Sequence, residues 1–309
     1  MELSFIPTLF PCEHMLSGVA RGLLLTGMKN LEDAQRRFFG KSVPLSPSVL
    51  MHSAMQLYMP ESLSITGREK FLVNHSLMGF FSHCLRHQKV VAALENNIND
   101  RTWPRIPCIE QLTFAQIWRY CPLCVHEDKR QFGTAFWRVS HQLHTSITCD
   151  KHLEYRLIDR CCSCNAVTKD LKEYPIPDCK CPQCGAIIEP EIFEHNEVTH
   201  WVQNTGLQLL NDAGDLKTPT HRHSMRYGFS GRASYCGLIG WQKIAAAQDD
   251  FHCWCLKHRA NLYFVPNTIE KKHNVLDLYK MAIYQRKVPP VSLLLGFKFL
   301  GVESIEDIE

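Results

Sequence analysis

The chain has 309 residues, a formal net charge of +3 and 15 cysteines. This length allows two or three compact units, and the small net charge does not by itself indicate a polyanion-binding protein. The first ten residues lack a basic start followed by a long apolar run, and no 18-residue apolar stretch exists. Since the cysteine count is odd, we expect metal-bound thiolates in a reducing cytoplasm, and we expect neither disulfides nor a membrane partner.

The first hundred residues are predicted to be helical. Apolar residues recur at helical spacing from His14 to Gly27, and a second helical pattern covers Leu31 to Phe39. A third helix is predicted from Ser46 through Leu57, and a fourth from about Glu69 to Leu94. Two short helices joined by a Gly-containing turn are compatible with a helix-turn-helix, and equally with a plain helical bundle.

Eight residues in the middle of the chain form two sets with the spacing of metal ligands. In each set, two ligand pairs flank a spacer, of 24 residues in the first set and 16 in the second. A C-x-x-C turn points both sulfurs at one point, and a tetrahedral zinc ion needs two such turns. The first set is Cys121, Cys124, Cys149 and His152, and the second is Cys161, Cys164, Cys181 and Cys184. The sequence therefore predicts two structural Zn²⁺ ions.

Other cysteines leave alternatives open. Cys162 and Cys179 lie within two residues of assigned ligands, and Cys179 could replace Cys181 in the second set. We prefer Cys181, because Gly185 supplies the small residue that usually completes such a turn. A further cluster raises the question of a third metal ion, although no partner knuckle is present and buried free cysteines explain it as well. Its members are Cys236, Cys253, Cys255 and His258.

The chain after Glu189 is again predicted to be helical, over Val198–Leu210, Val275–Gln285 and Val291–Leu300. The segment from Lys217 to Lys243 contains five Lys or Arg residues and no carboxylate. It could contact phosphates or an acidic protein face, or it could be a solvated loop. The candidate contacts to nucleic acid or to a partner are Arg222, Arg226 and Arg232.

Together these patterns predict a mainly α fold in three parts. Residues 1–102 form a helical, helix-turn-helix-like domain, 103–190 a tandem zinc-finger module (CCCH-type, then CCCC-type), and 191–309 a C-terminal helical region. The chain has no Walker-type phosphate loop, G-x-S-x-G, H-E-x-x-H or glycine-rich dinucleotide turn, so we do not expect an enzyme. Four protein ligands leave a metal no open position, which indicates structural sites.

Several segments also carry a resemblance to known proteins. The segment from Arg119 to Cys124 has an aromatic residue before Cys-Pro-x-Cys, and Gly133 to Trp137 has a Gly and Trp element before a helix. Thr148 to His152 adds Cys-x-x-His, and the Cys181/Cys184 pair follows. The segments Leu16–Arg21 and 277–295 match in outline. This arrangement resembles the TniQ/TnsD family, the target-selection proteins of heteromeric and CRISPR-associated transposons.

The resemblance implies a non-catalytic adaptor with an N-terminal helix-turn-helix and tandem zinc fingers. Such proteins recognise a DNA attachment site or an RNA-guided effector complex on DNA, and then recruit an AAA+ regulator of the TnsC type. The chain is shorter than the long DNA-binding members, so we expect either a compact adaptor or a native chain that continues past Glu309. A stand-alone sequence-specific zinc-containing DNA-binding protein is the alternative. Whether the chain forms a homodimer stays open.

Overall fold

The computed structural model describes the chain as mainly helical. The described residues are 7–28, 30–39, 42, 44–47, 58, 63–82, 112, 116–211, 241–264, 276–278, 281 and 288–304. The α-helices within them are α1 Met15–Leu25, α2 Leu31–Phe39, α3 Ile65–His75, α4 Met78–Ser82, α5 Pro122–Phe132, α6 Glu197–Asn211, α7 Trp241–Lys257, α8 Ala260–Tyr263 and α9 Pro290–Phe299. Across these ranges β-structure is limited to isolated bridges. The predicted mainly α fold class is thereby confirmed.

The chain divides into two compact units. Unit 1 combines Met1–Leu77 with Phe114–Glu194, and unit 2 combines Met78–Thr113 with His195–Glu309. The division into three domains at 102/103 and 190/191 stays a prediction. In the described part of the chain, no helix has the length and apolar character needed to cross a bilayer.

The first two predicted helices of unit 1 are confirmed as α1 and α2. The His14 imidazole caps α1, because its Nδ1 accepts a hydrogen bond from the backbone N–H of Leu16 at 3.2 Å. Gly27 follows the helix with φ +70°, a conformation that glycine adopts without steric cost. Helix α2 begins with acidic residues and ends with two exposed arginines, Arg36 and Arg37, which suits its dipole.

The prediction of one helix from Glu69 to Leu94 is wrong at its start and in its middle. Helix α3 begins earlier, at Ile65, where the side chain of Ser64 caps it by accepting from the N–H of Gly67. The helix ends at Ser76, whose backbone is extended (φ −148°, ψ 172°) and whose hydroxyl donates to the Leu72 carbonyl. A separate short helix, α4, then begins in unit 2. The rest of the predicted helix lies outside the described residues.

The start of α1 is attached directly to the cysteine-rich segment within unit 1. Glu13 and Arg138 form an antiparallel bridge, and the N–H of His14 donates to the Trp137 carbonyl at 2.8 Å. The Ser17 hydroxyl accepts from the N–H of Trp137 at 3.1 Å. The Trp137 ring is fully buried, so a large apolar side chain packs where α1 meets the cysteine-rich segment.

The cysteine-rich segment itself contains little regular structure. The spacer that follows α5 forms a 3₁₀ turn at Ser140–Gln142 within otherwise irregular backbone. A fully buried guanidinium supports it, because Arg119 donates to the carbonyls of Leu143 and Ser146. Hydrogen bonds from a buried side chain to backbone carbonyls thus stabilise this segment in place of a β-sheet.

Unit 2 is built around α6 and α9. The apolar face of α6 contacts α4 and α9, and α9 also contacts α7. Phe251 of α7 lies 5.1 Å from the ring of Phe299 at the end of α9. Helices α6 and α9 confirm the predictions for 198–210 and 291–300, with ends shifted by one residue. The predicted helix over 275–285 lies almost wholly outside the described residues.

Candidate metal centres

The first predicted ligand set comes together around one point in unit 1. The Nδ1 atom of His152 lies 3.5 Å from the sulfur of Cys121, 3.4 Å from that of Cys124 and 3.6 Å from that of Cys149. The sulfurs of Cys124 and Cys149 are 3.5 Å apart. Around a tetrahedral zinc ion, bonds of about 2.3 Å to sulfur and about 2.0 Å to nitrogen give ligand separations of about 3.5–3.8 Å. The four atoms therefore have the spacing of a tetrahedral metal site.

Local backbone structure explains how these ligands reach one point. Cys121 is the extended N-cap residue of α5 and Pro122 occupies its first turn, so Cys124 follows in that same turn. On the other side, the N–H of Cys149 donates to the Tyr155 carbonyl and the N–H of Tyr155 donates to the His152 carbonyl. A helix N-terminus and a tight turn thus hold one ligand pair each.

The second set is built from two copies of the same turn. Cys161 donates its N–H to the Ala166 carbonyl and accepts from Asn165, and Cys181 repeats this with Ala186 and Gly185. Asn165 and Gly185 have φ values of 58° and 74°, the left-handed conformation that each turn requires. The separations are 3.6 Å for Cys161–Cys184 and 3.7 Å for Cys164–Cys181, between sulfur atoms. This set too has tetrahedral ligand spacing.

Cys162 and Cys179, the cysteines next to assigned ligands in the sequence, lie outside both ligand sets. The sulfur of Cys179 is 3.6 Å from the Pro122 carbonyl oxygen and 3.6 Å from Nε2 of His126. Cys162 is exposed, with its sulfur 3.8 Å from the Ser163 hydroxyl. Among the described residues, two four-ligand groups can hold a metal ion, and they contain Cys181 rather than Cys179.

The electrostatics of the first set favour a bound cation. Hydrogen bonds from Cys121 and Cys124 lower the pKa of Cys149, whereas hydrogen bonding to Cys121 and Cys149, together with burial, raises the pKa of Cys124. Three thiols in contact within a buried site cannot all ionise beside one another without a compensating positive charge. A divalent ion supplies that charge, so the donor chemistry fits a thiolate-bound metal.

Side chains beyond the four predicted ligands surround the first set. The carboxylate of Glu127 lies 3.1 Å from Nε2 of His152, and Nε2 of His141 lies 3.5 Å from the sulfur of Cys149. The imidazole of His141 also lies 3.4 Å from the Asp150 carboxylate. Burial lowers the pKa of His141, but the bonds to Asp150 and Cys149 outweigh it and raise the pKa overall. Outer contacts of this kind orient metal ligands.

The two sets differ in their exposure to solvent. All three cysteines of the first set are buried, with Cys124 the most accessible at 2%. In the second set Cys161 and Cys181 are buried, whereas Cys164 and Cys184 are exposed. The second set is therefore open to solvent on one side.

Comparison with known proteins gives one family match within the chain. Residues 65–154 match the TniQ family model. The match confirms the resemblance to the TniQ/TnsD family, and it ends just after His152, so it contains the first ligand set and not the second. No curated protein matches the chain. A TniQ domain suggests a transposition-associated protein of target selection, and the TniQ family is a family of non-catalytic adaptors.

Some predicted site residues cannot be placed. Arg222, Arg226 and Arg232 lie outside the described residues, as does Cys236. Cys253 is exposed and Cys255 is buried, and burial raises the pKa of the Cys255 thiol to about 12. Within the described residues, neither belongs to a group that can hold a metal ion.

Proposed function

We propose that the protein is a non-catalytic target-selection adaptor of transposition that recognises a target and recruits an AAA+ regulator. The match of residues 65–154 to TniQ carries this proposal. The target is either a DNA attachment site or an RNA-guided effector complex on DNA. The two ligand sets support the non-catalytic part of this proposal, because each has four protein ligands and leaves a tetrahedral ion no position for water or substrate.

We further infer that both sets hold zinc. Three thiolates with one imidazole, and four thiolates, are the donor combinations of structural zinc sites, and the ligand separations agree with zinc bond lengths. Zinc would supply folding free energy, because the ligands gain a common partner only in the folded chain. Residues beside the ligands, such as Glu127 at His152, would orient the ligands, and the surrounding helices would form the surfaces that partners contact.

Scaffolding is the physical role that this arrangement supports. The irregular backbone over 133–194, apart from its 3₁₀ turn, holds few hydrogen-bonded ladders, so two cross-linking ions would stiffen it. The same module is bonded to α1 through His14 and Trp137. A rigid module of this kind can present helices to a target complex and to a regulator at a fixed spacing.

A recruitment assay tests the adaptor function. The full chain, loaded with zinc, is immobilised and incubated with a purified AAA+ transposition regulator and ATP. We expect the regulator to be retained, and we expect a Cys124→Ala variant to retain less because the first metal set is broken. The Cys162→Ala variant is the matched control, since Cys162 lies outside both sets and is exposed. Equal retention by an empty matrix would refute the proposal.

The second candidate is a stand-alone DNA-binding protein. The exposed Arg36 and Arg37 in the last turn of α2, the second of two short helices, favour it. A gel-shift at physiological salt separates the two functions, because an adaptor should bind free duplex weakly and a DNA reader tightly. If Arg222, Arg226 or Arg232 contacts phosphate, neutralising it should reduce the salt dependence of binding by about one counterion. An unchanged slope would exclude that contact.

A further inference from the structure

Three short segments of unit 1 lie side by side next to the first ligand set. The middle segment, 154–156, forms β-bridges to Thr148 on one side and to Ile192 on the other. It also accepts a backbone hydrogen bond from the predicted ligand Cys149. Among the described residues, no other bridge involves 191–193. We call residues 191–193 the outer edge, because they form the last of the three segments.

The hydrogen bonds of the outer edge determine which way the backbone of Ile192 points. The N–H of Phe193 donates to the Glu154 carbonyl, and the N–H of Arg156 donates to the Glu191 carbonyl, both at 2.8 Å. These bonds flank Ile192 and its bridge partner, which do not bond to each other. In such a pair, the N–H and C=O of each residue point away from the opposite segment.

The backbone of Ile192 is therefore available for pairing on its outer side. Within the part of the chain that the structure describes, neither its N–H nor its C=O has a hydrogen-bond partner. An antiparallel strand placed opposite Ile192 would exchange two hydrogen bonds with it. Adding an extended peptide to a free edge in this way is a common mode of peptide recognition.

The Ile192 side chain faces solvent as well. It is 67% exposed, and Leu153, in the turn that precedes the middle segment, is 62% exposed. Bridge partners place their side chains on the same face, so Ile192 lies beside the half-buried Tyr155. An apolar side chain of an added strand would pack on Ile192 and be removed from water.

The charges around the outer edge determine which strand it accepts. Four exposed glutamates lie on it or beside it: Glu154, Glu189, Glu191 and Glu194. Within the described residues one of them has an ion pair, since Nη1 of Arg156 lies 3.6 Å from Oε1 of Glu191. A second copy of this edge would place glutamate against glutamate, which is unfavourable. A nucleic-acid phosphate would be repelled as well, whereas a basic peptide is complementary.

We propose that the outer edge binds an extended basic segment of a protein partner as an added strand. The partner residue opposite Ile192 is apolar, because it shares the face of Ile192 and Tyr155. Its two neighbours are basic, because side chains alternate and they share the face of Glu191. The proposal rests on the proposed adaptor function, since it assigns a contact to one of the adaptor's protein partners.

Titration with short peptides tests this assignment on the full, zinc-loaded and ¹⁵N-labelled chain. The probe is acetyl-Gly-Arg-Val-Arg-Gly-amide, and the control peptide carries N-methylvaline in place of valine. The control has the same charges and side chains, but it lacks the N–H that would donate to the Ile192 carbonyl. We expect the probe to shift the Ile192 amide resonance saturably and to slow its hydrogen exchange. The control should bind about 2- to 10-fold more weakly, since one backbone hydrogen bond is lost.

Matched variants test the role of charge. Glu191→Gln neutralises an exposed carboxylate of the outer edge and should weaken binding of the probe by about 2- to 5-fold. Asp33→Asn is the control, because Asp33 is an exposed carboxylate of α2, outside the edge, and should leave the affinity unchanged.

Several results would overturn the proposal. Equal binding of the two peptides would mean attraction between charges without strand pairing. Binding of the probe without a response of the Ile192 amide would place the peptide elsewhere, and an unchanged affinity in Glu191→Gln would remove the reason for a basic partner. A shift of the Ile192 amide with protein concentration alone would show that a second copy of the chain occupies the edge.

The peptide experiment contains no AAA+ regulator, so its outcome is independent of the recruitment assay. If the probe binds at Ile192 and the regulator is not retained, the adaptor function fails and the assignment of the outer edge stands. If the regulator is retained and the probe does not bind, the assignment of the outer edge alone fails.

Discussion

The His152 imidazole lies between three thiols and a carboxylate: its Nδ1 faces the cysteines, and its Nε2 lies 3.1 Å from Oε1 of Glu127. A neutral imidazole carries one proton. When that proton is on Nε2, the imidazole donates a hydrogen bond to the Glu127 carboxylate. That tautomer leaves Nδ1 with its lone pair directed at the ligand set, as metal binding requires. Lys151, whose Nζ is 3.2 Å from Glu127, holds the carboxylate in place.

Substituting Glu127 should therefore weaken metal binding at the first site without removing a ligand. We expect Glu127→Gln to reduce zinc affinity there by about 10-fold or more, the usual effect of losing such an outer contact. Competition with a chelating dye of known affinity measures the change. Glu154→Gln serves as control, and an unchanged affinity in Glu127→Gln would show that His152 needs no orienting carboxylate.

Removing a ligand should remove a metal ion. We expect Cys124→Ala to bind about one zinc ion fewer and to lose roughly several kcal/mol of unfolding free energy, because zinc binding contributes directly to folding. Elemental analysis and denaturant unfolding measure the two effects. The exposed Cys162 gives the control, since Cys162→Ala should keep both ions and its stability. Two ions bound to a fully folded Cys124→Ala would disprove the ligand assignment.

The second site should lose its metal first. Cys164 and Cys184 are exposed, whereas the cysteines of the first set are buried and its His152 is only partly exposed, so a chelator can approach the second site more directly. We expect zinc release by EDTA in two phases, measured by native mass spectrometry over time. Cys184→Ser should lack the fast phase and keep the slow one. Simultaneous loss of both ions would mean that exposure does not control release.

His14 should make stability depend on pH. Burial, and secondarily the charge of His75, lowers the pKa of His14 from 6.5 to about 3. The unfolded chain therefore takes up a proton below pH 6.5 that the folded chain does not accept until about pH 3. Between these values stability falls as pH falls, by about 1.4 kcal/mol for each pH unit well below 6.5.

A His14→Asn variant isolates this effect. Asparagine keeps an acceptor at the N-cap of α1, so the helix retains its cap. Denaturant unfolding at several pH values from 7 to 5 measures both proteins, and acid effects on the metal sites cancel in the difference. We expect the variant to show a shallower decline than the original chain. Parallel curves would show that folding does not lower the pKa of His14.

The ligand sets could be predicted because their geometry is local. A C-x-x-C turn brings its two sulfurs together by backbone conformation alone, so spacing is sufficient to find each pair. Gly185 also marked the turn at Cys181 correctly, since a left-handed residue completes it. Helices α1 and α2 were predictable for the same reason, because their apolar period and the glycine after α1 are local signals.

Contacts between distant residues could not be predicted in this way. Glu127 and His152 are 25 residues apart in sequence. They come into contact because α5 and the Cys149 turn contribute ligands to the same set. The break between α3 and α4 was missed since the apolar residues after Ser76 continue a helical pattern. There the extended backbone of Ser76, rather than any glycine or proline, ends the helix.

The hydrogen bond between His14 and Trp137 has a practical consequence for protein engineering. A fragment starting at residue 103 would contain all eight predicted metal ligands. It would lack His14, so the Trp137 carbonyl would lose the N–H group that donates a hydrogen bond to it. Chimeras that swap specificity between relatives should therefore exchange the α1 segment and the cysteine-rich segment as a single cassette.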